Sequence, residues 1–284
     1  MSDETVAISL PVRLQLARAA VQVLADDTGV RLLHIKGNAA DASLRDGAAS
    51  GTDIDVMIHP DDIRRFDAVL TAHGWQRYSS FANGSPFEHA QTYWSDTWGH
   101  LDLHRRFPGI RRKDAEAFAI LARDGGEADV AGTACPVPSV PAQGVVLILN
   151  AARAGGIEGS PLERVWNAAP TRWRTEVEAL VAELDAPVGF AVAFGRLDEW
   201  QGERDYDLWR VVTHGGTRVE EWRARMRAAP TRWAALRIAL RAAFVNVDVL
   251  RHDLGRDPRA IDIVRSFGAR AFHAASDIVG RTKR

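Results

Sequence analysis

The segment 53–58 reads Asp-Ile-Asp-Val-Met-Ile, and its alternation of polar and apolar side chains is typical of a half-buried β-strand. Successive side chains of a strand point to opposite faces, so Asp53 and Asp55 lie on one face and the isoleucine and valine side chains lie on the other. The strand therefore holds two carboxylates side by side on a rigid backbone. Such a pair indicates either a cation site or a polar strand face that is covered by water.

A second alternating segment places His100, Asp102 and His104 on one face and two leucines on the opposite face. If this strand is a neighbour of the first, Asp102 joins Asp53 and Asp55 in one acidic cluster. Three converging carboxylates repel one another, and a hard divalent cation relieves the repulsion; Mg²⁺ is the usual choice in phosphoryl and nucleotidyl transfer. The alternative is two amphipathic strands whose polar faces are solvated.

An anion site is predicted shortly before the acidic pair. A short apolar run ends at Ile35 and is followed by Lys36-Gly37 and a helical pattern over 38–44. A lysine side chain and free backbone N–H groups at a helix N-terminus bind phosphate favourably. The order of the pieces, an anion site followed by a metal site, favours a phosphate-handling protein over an ordinary strand-to-helix turn.

The hydrophobic pattern changes near residue 140. Before it, short alternating segments predict strands joined by hairpins, and the segment 133–140, with its two prolines, predicts an edge strand or an extended connector. From residue 141 the period is helical. We therefore predict an α+β protein with one domain at 1–140 and a helical domain at 141–284. The helices predicted for the second half cover 141–153, 161–168, 171–184, 187–197, 217–228, 231–252 and 258–280.

The composition excludes several classes of protein. A chain of 284 residues with the single cysteine Cys135 is not a disulfide scaffold, and a hydrophobic content of 46% argues against disorder. The longest apolar stretch, 145–149, is far too short to span a membrane. The segment 1–5 carries acidic residues and no apolar run follows it, so we expect no secretory signal and a cytoplasmic protein.

The formal charge of -1 hides an asymmetry along the chain. Residues 201–284 carry 17 Arg/Lys against 10 Asp/Glu, whereas the first 200 residues carry 19 against 27. The basic part either faces the acidic part, or is simply solvated, or forms a basic wall opposite an acidic metal site. We do not expect a nucleic-acid platform.

In the helical half, tryptophans recur beside arginines, and we expect packing in preference to ligand stacking. The predicted helix 231–252 carries an apolar stripe that is typical of core: Trp233, Leu236, Leu240, Val247 and Leu250. An arginine-rich segment before it is expected to be a solvated helix face: Arg218, Arg223, Arg225 and Arg227.

Several short motifs together resemble the uncharacterised nucleotidyltransferase family of the DNA polymerase β-like superfamily. They are Leu-His-Ile-Lys-Gly-Asn-Ala-Ala at 33–40, Asp-Ile-Asp-Val-Met-Ile at 53–58, Pro-Asp-Asp at 60–62, His-Gly-Trp at 73–75 and His-Leu-Asp-Leu-His at 100–104. The resemblance covers about residues 30–140 and continues more loosely into the helices. It implies a nucleotidyltransferase-fold mixed sheet with flanking helices, followed by a mainly helical C-terminal region.

The resemblance also implies roles for individual residues. Asp53 and Asp55 become the metal-binding pair and Asp102 the third carboxylate, and all three are then catalytic. The turn at Lys36, Gly37 and Asn38 becomes the triphosphate-binding turn. The implied cofactor is Mg²⁺, with Mn²⁺ as a second choice, and the implied substrate is an NTP such as ATP.

One departure from the family pattern concerns a missing arginine. Members often have an arginine a few residues before the first aspartate, whereas Ala-Ser-Gly-Thr fills 49–52 here. Arg45, in the preceding turn, is a candidate substitute.

The histidines beside Asp102 leave an alternative open. As ligands, His100 and His104 would indicate Zn²⁺ or Mn²⁺ and a hydrolase. We favour a role in which His104 lies behind the ligands and orients a carboxylate. His34 is expected to pack within its strand.

These observations support one leading hypothesis and two others. The leading hypothesis is a metal-dependent nucleotidyltransferase that moves an NMP from an NTP to a hydroxyl of a small molecule, peptide or protein, and the resemblance makes an acceptor from natural-product biosynthesis plausible. The second is a catalytically silent, antitoxin-like relative that binds a nucleotide or a partner protein. The third is a His/Asp metallohydrolase.

Overall fold

The computed structural model describes residues 8–45 and 51–243, together with scattered positions between 250 and 266. The strands are β1 (Leu32–His34), β2 (Asp53–Ile58), β3 (Gln76–Arg77), β4 (Ala90–Ser95), β5 (Gly99–His104), β6 (Gly126–Val130) and β7 (Thr133–Val137). The helices are α1 (Leu10–Thr28), α2 (Ile63–Ala72), α3 (Asp114–Ala122), α4 (Val140–Arg153), α5 (Pro161–Ala168), α6 (Thr171–Glu183), α7 (Pro187–Ala193), α8 (Tyr206–His214), α9 (Arg218–Ala228) and α10 (Arg232–Ala243).

Five strands form one mixed sheet in the order β1-β2-β5-β4-β3. The β2 and β5 strands run parallel at its centre, and the other neighbouring strands are antiparallel. The sheet and its flanking helices precede a helical region that begins at α4. This confirms the predicted α+β class, and the two alternating strands are neighbours, which is the condition for Asp102 to join Asp53 and Asp55.

One face of this sheet is covered by the first two helices. The apolar side chains of β2 and β5, such as Ile54 and Leu103, pack there against Val21 of α1 and Phe66 of α2. Helix α1 can present such a face because Leu14, Ala17, Val21 and Ala25 recur at helical spacing and are buried. The alternation in the sequence thus sends the aliphatic side chains into this core and the carboxylates to the opposite face.

A second core joins the sheet to the helices that follow it. Leu33 and Met57 of the sheet and Phe107 beyond it pack in one cluster with Val145 and Leu149 of α4 and with side chains of α6, α7 and α8. The division of the chain at residue 140 stays a prediction. Within the described part of the chain, no helix is both long enough and apolar enough to cross a membrane.

The region after β1 differs from the predicted helix over 38–44. The chain forms two separate 3₁₀ turns there, Gly37–Ala39 and Ala42–Leu44. Ala40 is extended between them, and the Asp41 carboxylate accepts the backbone N–H of Ser43 and so begins the second turn. The expected helix N-terminus at the Lys36-Gly37 turn is therefore wrong.

The segment around Cys135 is the extended strand that its prolines predict. Within the described residues, strand β7 pairs with β6 in a two-stranded antiparallel sheet, so its Pro136 avoids a central position, and Pro138 follows the end of the strand. The Cys135 thiol is buried, and burial raises its pKa to about 11.

Strand β6 and helices α3 and α8 have no counterpart among the predicted elements.

The predicted apolar stripe of the last helix is wrong for its first three members. Trp233, Leu236 and Leu240 are exposed, Trp233 to 77%, because α10 turns Ala234 and Ile238 inward instead. Leu250 is helical and half-buried. Val247, the rest of the predicted continuation to residue 252 and most of the predicted helix at 258–280 lie outside the described residues.

Candidate active site

The register of two central strands brings the predicted carboxylates together. Parallel pairing places Asp53 opposite His100 and Asp55 opposite Asp102. Asp55 is 4% exposed, whereas Asp53 and Asp102 are partly exposed. Among the described residues, one ligand atom each of Asp55, Asp102 and His104 lies within 4.8 Å of the others. The three groups form a donor set that suits a cation.

Asp55 is the most strongly held of these carboxylates. Its Oδ1 lies 2.6 Å from Lys36 Nζ and 2.9 Å from His104 Nε2, which donates a hydrogen bond. Burial opposes ionisation of Asp55, but the His104 hydrogen bond and the Lys36 ammonium outweigh it and hold the pKa of this carboxyl well below its usual range. Asp55 is therefore an anion, with Lys36 beside it as a counterion.

The pKa of Asp53, at the open end of the cluster, is shifted in the opposite direction from that of Asp55. Burial raises its pKa, and the charges of Asp55 and Asp102 raise it further. Lys36 forms an ion pair with this cluster, and the charges of Arg18 and Arg153 also act on its carboxylates. Neighbouring carboxylates of this kind are an arrangement that can draw a divalent cation.

A hydroxyl from the neighbouring strand orients Asp102. Thr92 lies opposite Asp102 in the β4–β5 pairing, and its Oγ1 donates a hydrogen bond of 2.7 Å to Asp102 Oδ1. Our reasoning from the sequence did not single out Thr92. The alternation of its strand places Thr92 on the same face as Ala90 and Trp94, and this pattern was the available signal for the orientation of its side chain.

The Lys36-Gly37-Asn38 turn lies next to the cluster, although no α-helix follows it. Gly37 begins the 3₁₀ turn at φ +69°, and a Cβ at this position would lie 2.9 Å from Arg18 Nη2. Lys36 reaches Asp55 from this turn, and Asn38 is half-buried within it. The structure thus brings Lys36 to the carboxylates.

A buried polar chain supports the turn from behind. Arg18 Nη1 donates to His34 Nδ1 at 3.3 Å, and His34 Nε2 donates to Gln22 Oε1 at 3.0 Å. Arg18 is 2% exposed and its charge is favoured by Asp55 and Asp53. Burial and the Arg18 charge hold the pKa of His34 well below its usual range, so His34 is neutral. His34 is packed as predicted, and it also fixes Arg18.

Helix α4 contributes two polar residues that the sequence reasoning missed. Lys36 Nζ lies 3.5 Å from Asn150 Oδ1, and Arg153 Nη1 lies 3.2 Å from the Nε2 of buried His89. Burial lowers the pKa of Arg153, while the charges of Asp102 and Asp55 favour its cation. A signal was present in the sequence, since both residues follow the apolar run of this helix.

Arg18 and Arg153, and not Arg45, are the described arginines whose charges interact with the carboxylates. Arg45 lines a separate cavity of about 510 Å³ together with Arg164 and Trp173. The suggested substitution of Arg45 for the missing family arginine therefore has no support in the geometry.

The two histidines of β5 have different surroundings. His104 is 1% exposed and its Nε2 is already bonded to Asp55. His100 packs beside Trp94, with ring centroids 4.6 Å apart, and is not part of the possible ligand group. Of these two histidines, His104 alone belongs to the possible ligand group among the described residues.

A protein-family model described as uncharacterised nucleotidyltransferase matches residues 13–204. No curated protein matches the chain. Among solved structures, the antibiotic-resistance factor ANT(2″)-Ia in solution has 16% identity and a TM-score of 0.39, over 66% of this chain and 93% of its own. A crystal structure of ANT(2″)-Ia with adenylyl-2″-tobramycin has 15% identity and a TM-score of 0.40, over 66% and 98%.

A third similar structure is the lincosamide antibiotic adenylyltransferase LnuA bound to lincomycin. It has 13% identity and a TM-score of 0.34, over 59% of this chain and 96% of its own. These likenesses are too distant to assign a substrate to this chain.

Proposed function

Because the chain belongs to the uncharacterised nucleotidyltransferase family, we propose that it transfers an NMP from an NTP, with ATP as the first candidate, to a hydroxyl of a small molecule, peptide or protein. The observation that carries this proposal is the parallel pairing that sets Asp55 opposite Asp102, with Lys36 Nζ 2.6 Å from Asp55. A cytoplasmic location and an acceptor from natural-product biosynthesis stay predictions.

The donor set fits a hard divalent cation. Among the described residues, the ligand atoms that lie together belong to Asp55, Asp102 and His104, and Asp53 lies on the same strand face outside this group. Carboxylate oxygens are the donors that Mg²⁺ and Mn²⁺ prefer. Burial raises the pKa of Asp53, and the neighbouring charges of Asp55 and Asp102 raise it further. When bound, Mg²⁺ would neutralise the phosphate charge and polarise the α-phosphate.

In the proposed reaction, Asp102 accepts the proton of the acceptor hydroxyl. The hydroxyl oxygen attacks the α-phosphorus, a new phosphorus–oxygen bond forms, and the bond to the departing pyrophosphate breaks. Asp102 is suited to this step because it is partly exposed. The Thr92 hydroxyl bonds its Oδ1 and leaves Oδ2 to accept the proton. Asp55 is less suited to this step, because it is buried and its Oδ1 is already bonded by Lys36 and His104.

The phosphates of the NTP require positive charge from the protein. Lys36 and Arg153 supply it from two sides, one from the turn after β1 and the other from α4. His104 fixes the Asp55 carboxylate through its hydrogen bond and takes no part in bond breaking. Gly37 and Asn38 shape the turn that carries Lys36.

The test uses α-labelled NTPs, Mg²⁺ and a panel of hydroxyl-bearing acceptors, including the protein itself. We expect label transfer by the wild type and a loss of about 10³-fold in Asp55→Asn, because the substitution removes the central carboxylate. Asp27→Asn, an exposed carboxylate on α1, is the matched control and should retain full activity.

The outcomes separate the three hypotheses. If the wild type binds no NTP in Mg²⁺, the proposal is wrong. Nucleotide binding without turnover on any acceptor would favour the silent, antitoxin-like relative. A tightly bound transition metal that is lost in His104→Ala would favour the metallohydrolase.

A further inference from the structure

A cavity of about 450 Å³ opens beyond the end of β5, between that strand and helices α8–α10. Seven of its lining residues are arginines, against two carboxylates, Glu88 and Asp205. Phe107 lines the cavity and also stacks on His104, with ring centroids 5.5 Å apart. None of the three aspartates of the acidic cluster lines it, so this arginine cavity is distinct from the candidate active site.

Glu88 stands at the centre of the arginine cavity, surrounded by guanidinium groups. Its Oε1 lies 3.2 Å from Arg225 Nη2 and 3.5 Å from Arg241 Nη1, and its Oε2 lies 3.5 Å from Arg105 Nη2. One carboxylate therefore faces three guanidinium groups. Burial lowers the pKa of Arg105, and the charges of Arg106 and Arg241 act in the same direction. The lining thus holds more positive than negative charge.

The remaining arginines of this lining divide into two kinds. Arg106 pairs with Asp114 at 3.0 Å, and Arg111 pairs with Glu203 at 2.6 Å, so their charges are balanced by carboxylates outside the cavity. Arg204 and Arg237 are exposed, and neither forms an ion pair within the part of the chain that the structure describes. Arg237 is therefore available to a ligand.

The backbone at Glu88 is also unusual. Glu88 adopts φ +51°, a left-handed conformation that is costly for a residue with a Cβ. Arg105 Nε donates to its carbonyl oxygen at 2.9 Å, and its own N–H donates to the carbonyl of Ser85 at 3.0 Å. Residues held in such conformations cluster at ligand sites, where the surrounding structure fixes them. Here the fixed group is a carboxylate that contacts three arginines.

We propose that the arginine cavity binds a small organic anion, namely a phosphate monoester carried on an apolar or aromatic body. Arg105 pairs with Glu88 and Asp114, and Arg225 pairs with Glu88 and Glu221. The excess of positive charge therefore comes from Arg204 and Arg237, which form no ion pair among the described residues, and it matches a dianionic phosphate. The walls that Phe81, Phe87 and Ile238 contribute match an apolar body. The phosphate binds beside Glu88, within reach of Arg237 and Arg241.

The test is calorimetric titration of the whole protein with phenyl phosphate, without NTP or Mg²⁺. We expect saturable binding of one molecule, binding of inorganic phosphate at least about tenfold weaker, and no binding of phenol. Arg237→Gln should weaken phenyl phosphate binding about tenfold, because a charge-assisted hydrogen bond is lost. Glu88→Gln should strengthen it, since the competing carboxylate is removed.

Arg237→Gln is a suitable variant because Arg237 forms no ion pair in the described part of the chain, so the fold does not depend on it. Arg172→Gln, an exposed arginine on α6, is the matched control and should bind as the wild type does. Absence of binding to the wild type, or equal binding by Arg237→Gln, would overturn the proposal. Displacement of phenyl phosphate by Mg²⁺ and NTP would place the ligand at the acidic cluster and would also overturn it.

Discussion

At the scale of single residues, the same oxygen of Asp55 is bonded by Lys36 and by His104. Alternation in the sequence was enough to place the carboxylates on one face of their strands. It gave no information on Arg153 or Thr92, because these lie on other elements whose approach depends on the whole fold. The arginine-rich helical segment led us to expect a solvated Arg225. This residue is instead 5% exposed, because it packs over Trp222 and bonds Glu88.

Arg153→Gln tests the second cation of the site. We expect the KM for the NTP to rise about tenfold with little change in kcat, because the substitution removes a charge that acts on the phosphates in ground and transition state alike. Steady-state kinetics with α-labelled NTP measures this. Arg172→Gln is the control, and an unchanged KM with a reduced kcat would contradict the assigned role.

His34 gives the protein a pH-dependent stability. Its folded-state pKa is lowered by burial and by Arg18, so the unfolded chain binds a proton more readily than the folded protein does. The stability that it contributes is therefore present above the usual histidine pKa and is lost as pH falls below it. His89, also buried with a lowered pKa, acts in the same direction.

We expect His34→Gln to reduce the dependence of the unfolding free energy on pH. Between pH 6.5 and 5, the slope should fall by about 1 kcal/mol per pH unit, because one of the two neutral histidines no longer takes up a proton on unfolding. Urea unfolding at several pH values provides the measurement. Equal slopes for the variant and the wild type would show that His34 is charged in the folded protein.

At the scale of elements, the turn after β1 was the least predictable part of the site. The helical pattern over 38–44 is present in the sequence, but Asp41 captures the Ser43 N–H and divides the segment into two 3₁₀ turns. Local side-chain hydrogen bonds of this kind compete with a helix and are difficult to weigh from the sequence. Long amphipathic segments such as α4 and α6 have no such competitor, and they were predicted nearly to the residue.

Gly37→Ala tests what the turn requires, and Gly29→Ala is its matched control. Both glycines have positive φ, but a Cβ at Gly37 would meet Arg18 Nη2 at 2.9 Å, whereas nothing lies within 4 Å at Gly29. We expect both variants to lose about 1 kcal/mol of unfolding free energy. Only Gly37→Ala should also weaken NTP binding, because it displaces the turn that carries Lys36.

Equilibrium NTP binding and urea unfolding of the two variants provide the comparison. If Gly29→Ala weakens NTP binding as much as Gly37→Ala does, general destabilisation explains the loss. The position of the turn then has no special part in binding.

At the scale of the whole molecule, a single core connects the sheet to the helices. Leu149 of α4 is fully buried in the cluster that also contains Leu33, Met57 and Trp209. The polar residues Asn150 and Arg153 lie on the same helix and face the acidic cluster. Packing of α4 against the sheet therefore sets the position of part of the site.

Leu149→Ala should lower the unfolding free energy by about 3 kcal/mol and the Tm by about 8 °C, because it leaves a cavity in this shared core. We expect tryptophan fluorescence and far-UV circular dichroism to shift together on heating, since sheet and helices lose the same contact. Leu240→Ala is the control, as Leu240 is 56% exposed and its loss should be small. A shift in only one of the two signals would contradict a shared core.

The sequence by itself determined the faces of the strands and the existence of most helices in the described part of the chain, because periodicity of apolar side chains records which face is buried. It also showed a basic C-terminal part but not what that part faces. Tertiary structure alone decided that Arg105, Arg225 and Arg241 contact Glu88. It also decided that Lys36, Thr92 and Arg153 converge near the aspartates. These contacts join residues far apart in the chain, and no local pattern records which distant elements will meet.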